Sequence, residues 1–157
     1  MAITTTARTV LASLGLVLSL YAVYVEYKME HLDDGEDFTA LCDIDAIGAS
    51  CSKTFSLPEG KLLSYFGIVP SGHALDLPNA ALGSVFYAQL LLLRQPIRHF
   101  VCAAMMTSIF LAYQLTFVLG DLCVLCWSTH VINTILFYKI VLSSLRGPDG
   151  AGKKKTT

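Results

Sequence analysis

The sequence predicts an all-α membrane protein: a four-transmembrane-helix bundle with a capping loop between helices 1 and 2, formed as a single membrane domain over residues 1–157. Three observations carry that expectation. Hydrophobic residues make up 54% of the 157 positions and charged residues only 15%, against about 25% charged in soluble domains. Uncharged residues gather into four runs, 9–25, 77–93, 100–120 and 122–138, each close to the roughly 17 to 25 residues that cross a bilayer. A polar, acidic segment separates the first run from the second. The net charge of −1 supplies no basic surplus, so a lipid bilayer is the expected partner and nucleic acid is not.

Helix 1 is expected over about 9–30. A soluble helix of that length would carry a polar stripe along one face, whereas these runs hold only scattered Ser, Thr, Asn and Gln. Arg8 ahead of an apolar run also fits a cleaved signal peptide, but no small-residue cleavage site follows before Tyr24 and Glu26, so the segment is expected to be a retained anchor. The loop at about 31–76 holds Asp33, Asp34, Glu36, Asp37, Asp43, Asp45, Glu59 and Asp76, the composition of a solvated acidic face. Too small to fold alone, it should pack on the membrane end of the helices. Its apolar stretch 62–69 is too short to span and suited to the interface. Helices 2, 3 and 4 follow at about 77–94, 98–119 and 122–142, and a tail at 146–157 contains Gly147, Pro148 and Gly150.

Alternating helix direction puts Arg8, Arg94, Arg98, Lys139, Arg146, Lys153, Lys154 and Lys155 on one side, and only Lys28, Lys53 and Lys61 on the other. The excess of basic residues marks the cytoplasmic face. Both termini are therefore expected in the cytoplasm and the large loop in the opposite compartment.

On that topology four of the five cysteines share the non-cytoplasmic side. Cys42 and Cys51 lie in the loop, Cys123 and Cys126 open the fourth helix, and Cys102 sits inside the third, where a lone Cys behaves as a small hydrophobe. Cys123-Val124-Leu125-Cys126 is a C-x-x-C at a helix start, where unpaired N–H groups and the positive end of the helix dipole favour thiolate. Three arrangements are open. The pairs could be fixed disulfides stapling the loop of a non-catalytic protein. Cys123, Cys126 and His130 could bind a metal, although no fourth ligand stands out. Or the loop pair could pass electrons by thiol–disulfide exchange to the helix pair, which reduces a molecule dissolved in the bilayer. The relay accounts best for the placement. His130, four residues after Cys126, shares its helix face; it could support a thiolate or donate a proton, or simply bond a neighbouring helix. Asn79, after Pro78, is either a helix-start residue or a hydrogen-bond partner for a ligand oxygen.

From Arg8 to Tyr138 the chain resembles the vitamin K epoxide reductase family of animals. The resemblance rests on Leu41-Cys42-Asp43, on Cys51-Ser52 with Phe55 close behind, and on Pro78-Asn79 followed by Gly83 and Phe86-Tyr87. Asp121-Leu122-Cys123-Val124-Leu125-Cys126 completes it. It implies a multi-pass protein of the endoplasmic reticulum membrane with a lumenal capping loop and a site at the lumenal end. Cys126 would attack the substrate and Cys123 resolve the adduct, with Cys42 and Cys51 delivering electrons from a lumenal thioredoxin-like oxidoreductase. Asn79 would hydrogen-bond a quinone or epoxide oxygen, and Phe55 and Phe86 would line the ring pocket, with His130 as a further substrate contact. The substrate would be vitamin K epoxide or quinone, with no tightly bound cofactor and no metal. Lys154 and Lys155 resemble a retrieval signal for that membrane. The chain departs from the vertebrate pattern in having one more residue between Cys42 and Cys51, His130 in place of a tyrosine, Glu59 in place of a tryptophan, and Trp127 after the C-x-x-C. A quinone-dependent disulfide-forming protein is the nearest alternative of the same chemistry.

Overall fold

A chain that starts with an unbroken run of helix-compatible residues, free of proline, forms helix α1 over Thr5–Glu30, 26 residues, or about 39 Å at 1.5 Å per residue. The computed structural model describes residues 5–31, 38–44, 48–55, 60–93, 98–120 and 122–142, with the side chains of Lys53 and Phe55 outside that set. Two short helices follow α1, α2 at Cys51–Phe55 and α3 at Leu62–Tyr65. Helix α4 is Asn79–Leu92. Helix α5, Arg98–Tyr113, continues through a wider π-helical stretch, Gln114–Leu119. Helix α6, Val124–Phe137, continues likewise through Tyr138–Leu142. Among the described residues there are no strands, only isolated bridges joining Ile44 to Ala49 and Ala49 to Leu122.

With their continuations, α1, α5 and α6 are long and apolar enough to cross a membrane, while α4, 14 residues long, is a shorter apolar helix. Its run of uncharged residues is longer than the helix because both ends are set by backbone geometry. Pro78 holds the N-cap extended at ψ 146°, and Leu93 leaves the helix extended at ψ 131°. Gly120 ends the α5 continuation in the left-handed region at φ 64°, a conformation costly for residues with a Cβ. Asp33, Asp34, Glu36, Asp37 and Asp45 of the acidic loop, together with Glu59 and the tail at 146–157, lie outside the described residues.

Apolar side chains face outward, as a bilayer solvent allows, and the interior combines two apolar clusters with a few buried polar groups. Val17, Val85, Met106 and Phe117 are 64%, 65%, 68% and 75% exposed, whereas Ser19, Glu26, Ser108, Gln114 and His130 are buried. Helix α1 packs chiefly on α4, and α5 on α6, with α1 also touching α6. At Gly15 of α1 a Cβ would overlap the ring of Tyr87 on α4. That ring is 1% exposed. Its hydroxyl donates to Asn133 Oδ1 at 2.7 Å, and Asn133 Nδ2 donates to Ser108 Oγ at 2.8 Å. One chain of polar groups thus ties α4, α6 and α5, each bond worth about 0.6 to 2 kcal/mol between membrane helices.

The segment around α3 covers one end of this assembly. Asn79 Oδ1 accepts the Leu62 N–H at 3.0 Å, and Gln114 Nε2 donates to the Tyr65 hydroxyl at 3.0 Å. The Phe66 and Phe110 rings meet at 5.2 Å. Lys61 also pairs with Glu30 at the end of α1.

Candidate redox site and cavity

The site is built from the loop upward. Between Cys42 and Cys51 the chain must reverse direction, and the carboxylate of Asp43 organises that reversal. It accepts the N–H of Ala40 at 3.0 Å and of Ser52 at 3.1 Å, the N–H of Cys51, and the Ser52 hydroxyl. Two of these donors belong to the first turn of α2, so the carboxylate also caps that helix against its orphan N–H groups. Partial burial alone would raise the Asp43 pKa. The bonds from Ser52, Ala40 and Cys51 outweigh it and hold the group below its ordinary 3.8. The folded loop brings the Cys42 and Cys51 Cα atoms to 5.8 Å, and the two form a disulfide.

Cys123 and Cys126 form the second disulfide, Cα to Cα 5.3 Å. Cys123 occupies the N-cap of α6 with extended backbone, φ −100° and ψ 104°, and its Sγ accepts the Cys126 N–H at 3.2 Å. Sulfur therefore takes the capping place usually held by a hydroxyl or carboxylate oxygen. A thiolate released there meets a backbone donor and the positive end of the α6 dipole.

A short backbone link docks the loop on this helix start. The Ser50 N–H donates to the Leu122 carbonyl at 3.1 Å, next to the Ala49–Leu122 bridge. In consequence the Cys51 and Cys123 sulfurs lie 3.7 Å apart, and both residues are fully buried. That is van der Waals contact between two disulfides, close enough for a thiolate of one to attack the other. Cys42, 9% exposed, lies beside Leu41, which is 88% exposed.

Beyond Cys126 lies a cavity of about 410 Å³ between α1, α4, α5, α6 and the α3 segment. Its wall is mainly apolar, the usual make-up of a site for an organic ligand. Cys126, Asn79, Phe86 and His130 all line it. Four of the eight expected site residues thus share one cavity, and the other three described cysteines run back from it towards the loop. The Phe55 side chain lies outside the described residues. Neither ring nitrogen of His130 has a hydrogen-bond partner among the described residues, while Asn79 is bonded to Leu62 through its Oδ1. The pairing of Cys123 with Cys126 leaves their sulfurs without the thiolate charge that the metal arrangement needs. Cys42, Asp43 and Cys51 also sit within ligand distance of one another, but there too both sulfurs are bonded in a disulfide.

Three features of the site escape a sequence reading. Asp43 belongs to the Leu41-Cys42-Asp43 motif, but only the fold shows it capping α2. Gln114 sits unmarked in an uncharged run yet faces the cavity, as does Glu26. The available signal for Glu26 was its register: Ser19, Ala22 and Glu26 recur at helical spacing and form a small and polar stripe on α1.

The model of the family described as "Vitamin K epoxide reductase family" matches residues 6–141 of the chain. Curated relatives include the Vitamin K epoxide reductase complex subunit 1 of Rattus norvegicus, 33% identical, and that of Mus musculus, 35% identical. Each alignment covers 94% of this chain and 92% of the relative.

Proposed function

The chain belongs to the vitamin K epoxide reductase family of membrane oxidoreductases, and from that premise we propose that it reduces vitamin K 2,3-epoxide, vitamin K quinone or both. Reduction is coupled to disulfide formation. The observation that carries this is the unbroken series of sulfurs, Cys42–Cys51 touching Cys123–Cys126 at 3.7 Å, with Cys126 opening on an apolar cavity.

Electrons enter at Cys42, next to the exposed Leu41, from a lumenal thioredoxin-like oxidoreductase that reduces the Cys42–Cys51 disulfide. Cys51 thiolate then attacks Cys123 Sγ, so that Cys126 leaves towards the cavity and takes up a proton to become the thiol. Cys42 resolves the mixed disulfide by attacking Cys51, and Cys123 departs into its helix-cap donor. The reduced pair acts next on the bound ring. Cys126 thiolate adds to a ring carbon, and its electron pair moves onto oxygen beside Asn79. Cys123 thiolate attacks Cys126 Sγ, re-forming the disulfide and expelling the reduced product. With vitamin K epoxide the products are the quinone, water and the disulfide; with the quinone they are the hydroquinone and the disulfide. His130 lines the cavity as a substrate contact, Phe86 packs on the ring, and Phe55 is assigned to the same pocket.

The proposed setting is the endoplasmic reticulum membrane, with four spanning helices, a lumenal cap formed by the loop at about 31–76, and both termini cytoplasmic. The eight basic residues on one side against three on the other support that orientation. Helix α4 covers about 21 Å, and the apolar residues Leu77 and Leu93 beyond its ends extend it towards the full bilayer thickness.

The test is reduction of vitamin K epoxide by membranes containing the protein, driven by a small dithiol, with Cys126→Ala as control. Product that disappears in the control is the expected result. No product from wild-type protein that retains both disulfides refutes the assignment and favours other quinones or a structural role for the pairs.

A further inference from the structure

On the α1 side of the cavity stands a carboxyl group with no assigned task. Glu26 is 2% exposed although it lies on a helix whose opposite face is apolar and open. It lines the same cavity as Cys126 and Asn79, and its Oε2 has no hydrogen-bond partner among the described residues. A buried carboxyl oxygen without a partner costs free energy, and the protonated Glu26 would donate the missing bond to a ligand oxygen in the cavity. One helical turn further along α1, Glu30 pairs with Lys61, and these side chains are 47% and 29% exposed. Glu26 therefore stands between a water-accessible ion pair and the cavity.

We propose that Glu26 is the general base and acid of the reduction, exchanging a proton between the Cys126 thiol and the substrate oxygen; this rests on the reductase function proposed above. The carboxylate takes the proton of the Cys126 thiol as the nucleophile forms. Thiolate addition makes the C–S bond and moves an electron pair onto a quinone oxygen, which receives that proton from Glu26. When Cys123 thiolate attacks Cys126 Sγ, the S–S bond forms, the C–S bond breaks, and its pair passes into the ring. The second oxygen takes the proton released by Cys123. The two sulfurs lose two electrons, the quinone gains two electrons and two protons, and Glu26 ends as it began.

Among the described residues the titratable groups around Glu26 are few. Glu30 lies on its own helix and Lys61 ahead of α3, while Tyr87 on α4 and Cys126 and His130 on α6 line the same cavity. Cys51, on α2, is held in its disulfide.

Full-length wild type, Glu26→Gln, Glu26→Asp and Glu26→Ala are compared in membranes, with vitamin K epoxide and a menaquinone as substrates and a small dithiol as reductant. Rates are recorded from about pH 6 to pH 9. Glu26→Gln keeps size and hydrogen bonding but cannot exchange a proton: kcat falls by about 10² to 10⁴-fold, KM stays within a few fold, and one limb of the pH profile disappears. Glu26→Asp recovers part of the rate, and added formate restores part of the Glu26→Ala rate. Alkylation mapping of both cysteine pairs confirms that each variant is folded. Should Glu26→Gln misfold, formate rescue of Glu26→Ala decides, and its absence overturns the proposal. A Glu26→Gln enzyme with wild-type kcat and pH profile overturns the role of Glu26 alone. Wild-type membranes that reduce neither substrate overturn the reductase function, and the role of Glu26 with it.

Discussion

Replacing Asp43 by Ala removes one carboxylate and with it four hydrogen bonds, from the N–H groups of Ala40, Cys51 and Ser52 and from the Ser52 hydroxyl. A bond to a charged group contributes about 1.5 to 3 kcal/mol when buried. Here the site is only partly buried and water can reach some of the orphaned donors, which lowers each to about 0.5 to 1 kcal/mol. The sum, about 2 to 4 kcal/mol, opposes the docked loop rather than the helices, and corresponds to a roughly 30- to 10³-fold loss of loops poised for exchange. Only electrons that travel through Cys51 feel that loss. Turnover driven by a thioredoxin-like protein should therefore fall by that factor, while turnover driven by a small dithiol able to reduce Cys123–Cys126 directly should change much less. Comparing the two reductants in the same membranes is the assay. Equal protein-driven rates in Asp43→Ala and wild type would falsify the organising role of this carboxylate. Since its folded pKa lies below the ordinary 3.8, the stabilisation is present above that value and is lost as pH falls through the folded pKa.

Cys42→Ser leaves the Cys51 thiol 3.7 Å from Cys123 Sγ with no resolving partner, so a Cys51–Cys123 mixed disulfide should accumulate and appear in non-reducing peptide maps; a map holding only Cys123–Cys126 argues against the relay. Gly15→Ala drives a methyl group into the Tyr87 ring, and overpacking of this kind costs about 1 to 3 kcal/mol. Its melting temperature in detergent should drop, and an unchanged value would mean that α1 and α4 can separate freely at this point.

How legible each part of the molecule was depends on whether its signal is local. Periods of uncharged residues mark helices in any apolar solvent, and α1, α4, α5 and α6 each stand on one of those runs. The extent of α4 was less clear, because composition does not register the extended backbone that Pro78 and Leu93 impose at its ends. Cys123 and Cys126 could be paired on their spacing and their helix-start position, since both properties belong to one turn of chain. Asp43 stood out within the Leu41-Cys42-Asp43 motif, but its capping of α2 was not legible there, because it depends on how the segment folds back.

The sequence by itself determined the class of solvent, the positions of the apolar helices and the residue types able to carry thiol chemistry, all of which follow from composition and short-range spacing. Only the tertiary structure decided that the two disulfides touch, that Cys126 alone of the four opens on the cavity, and that Glu26 and His130 face into it. Cys51 and Cys123 are separated by 72 positions in the chain. Their contact exists because the Ser50–Leu122 backbone bond and the packing of α1 against α4 and α6 hold the loop over one helix end, and no local pattern encodes contacts made across that distance.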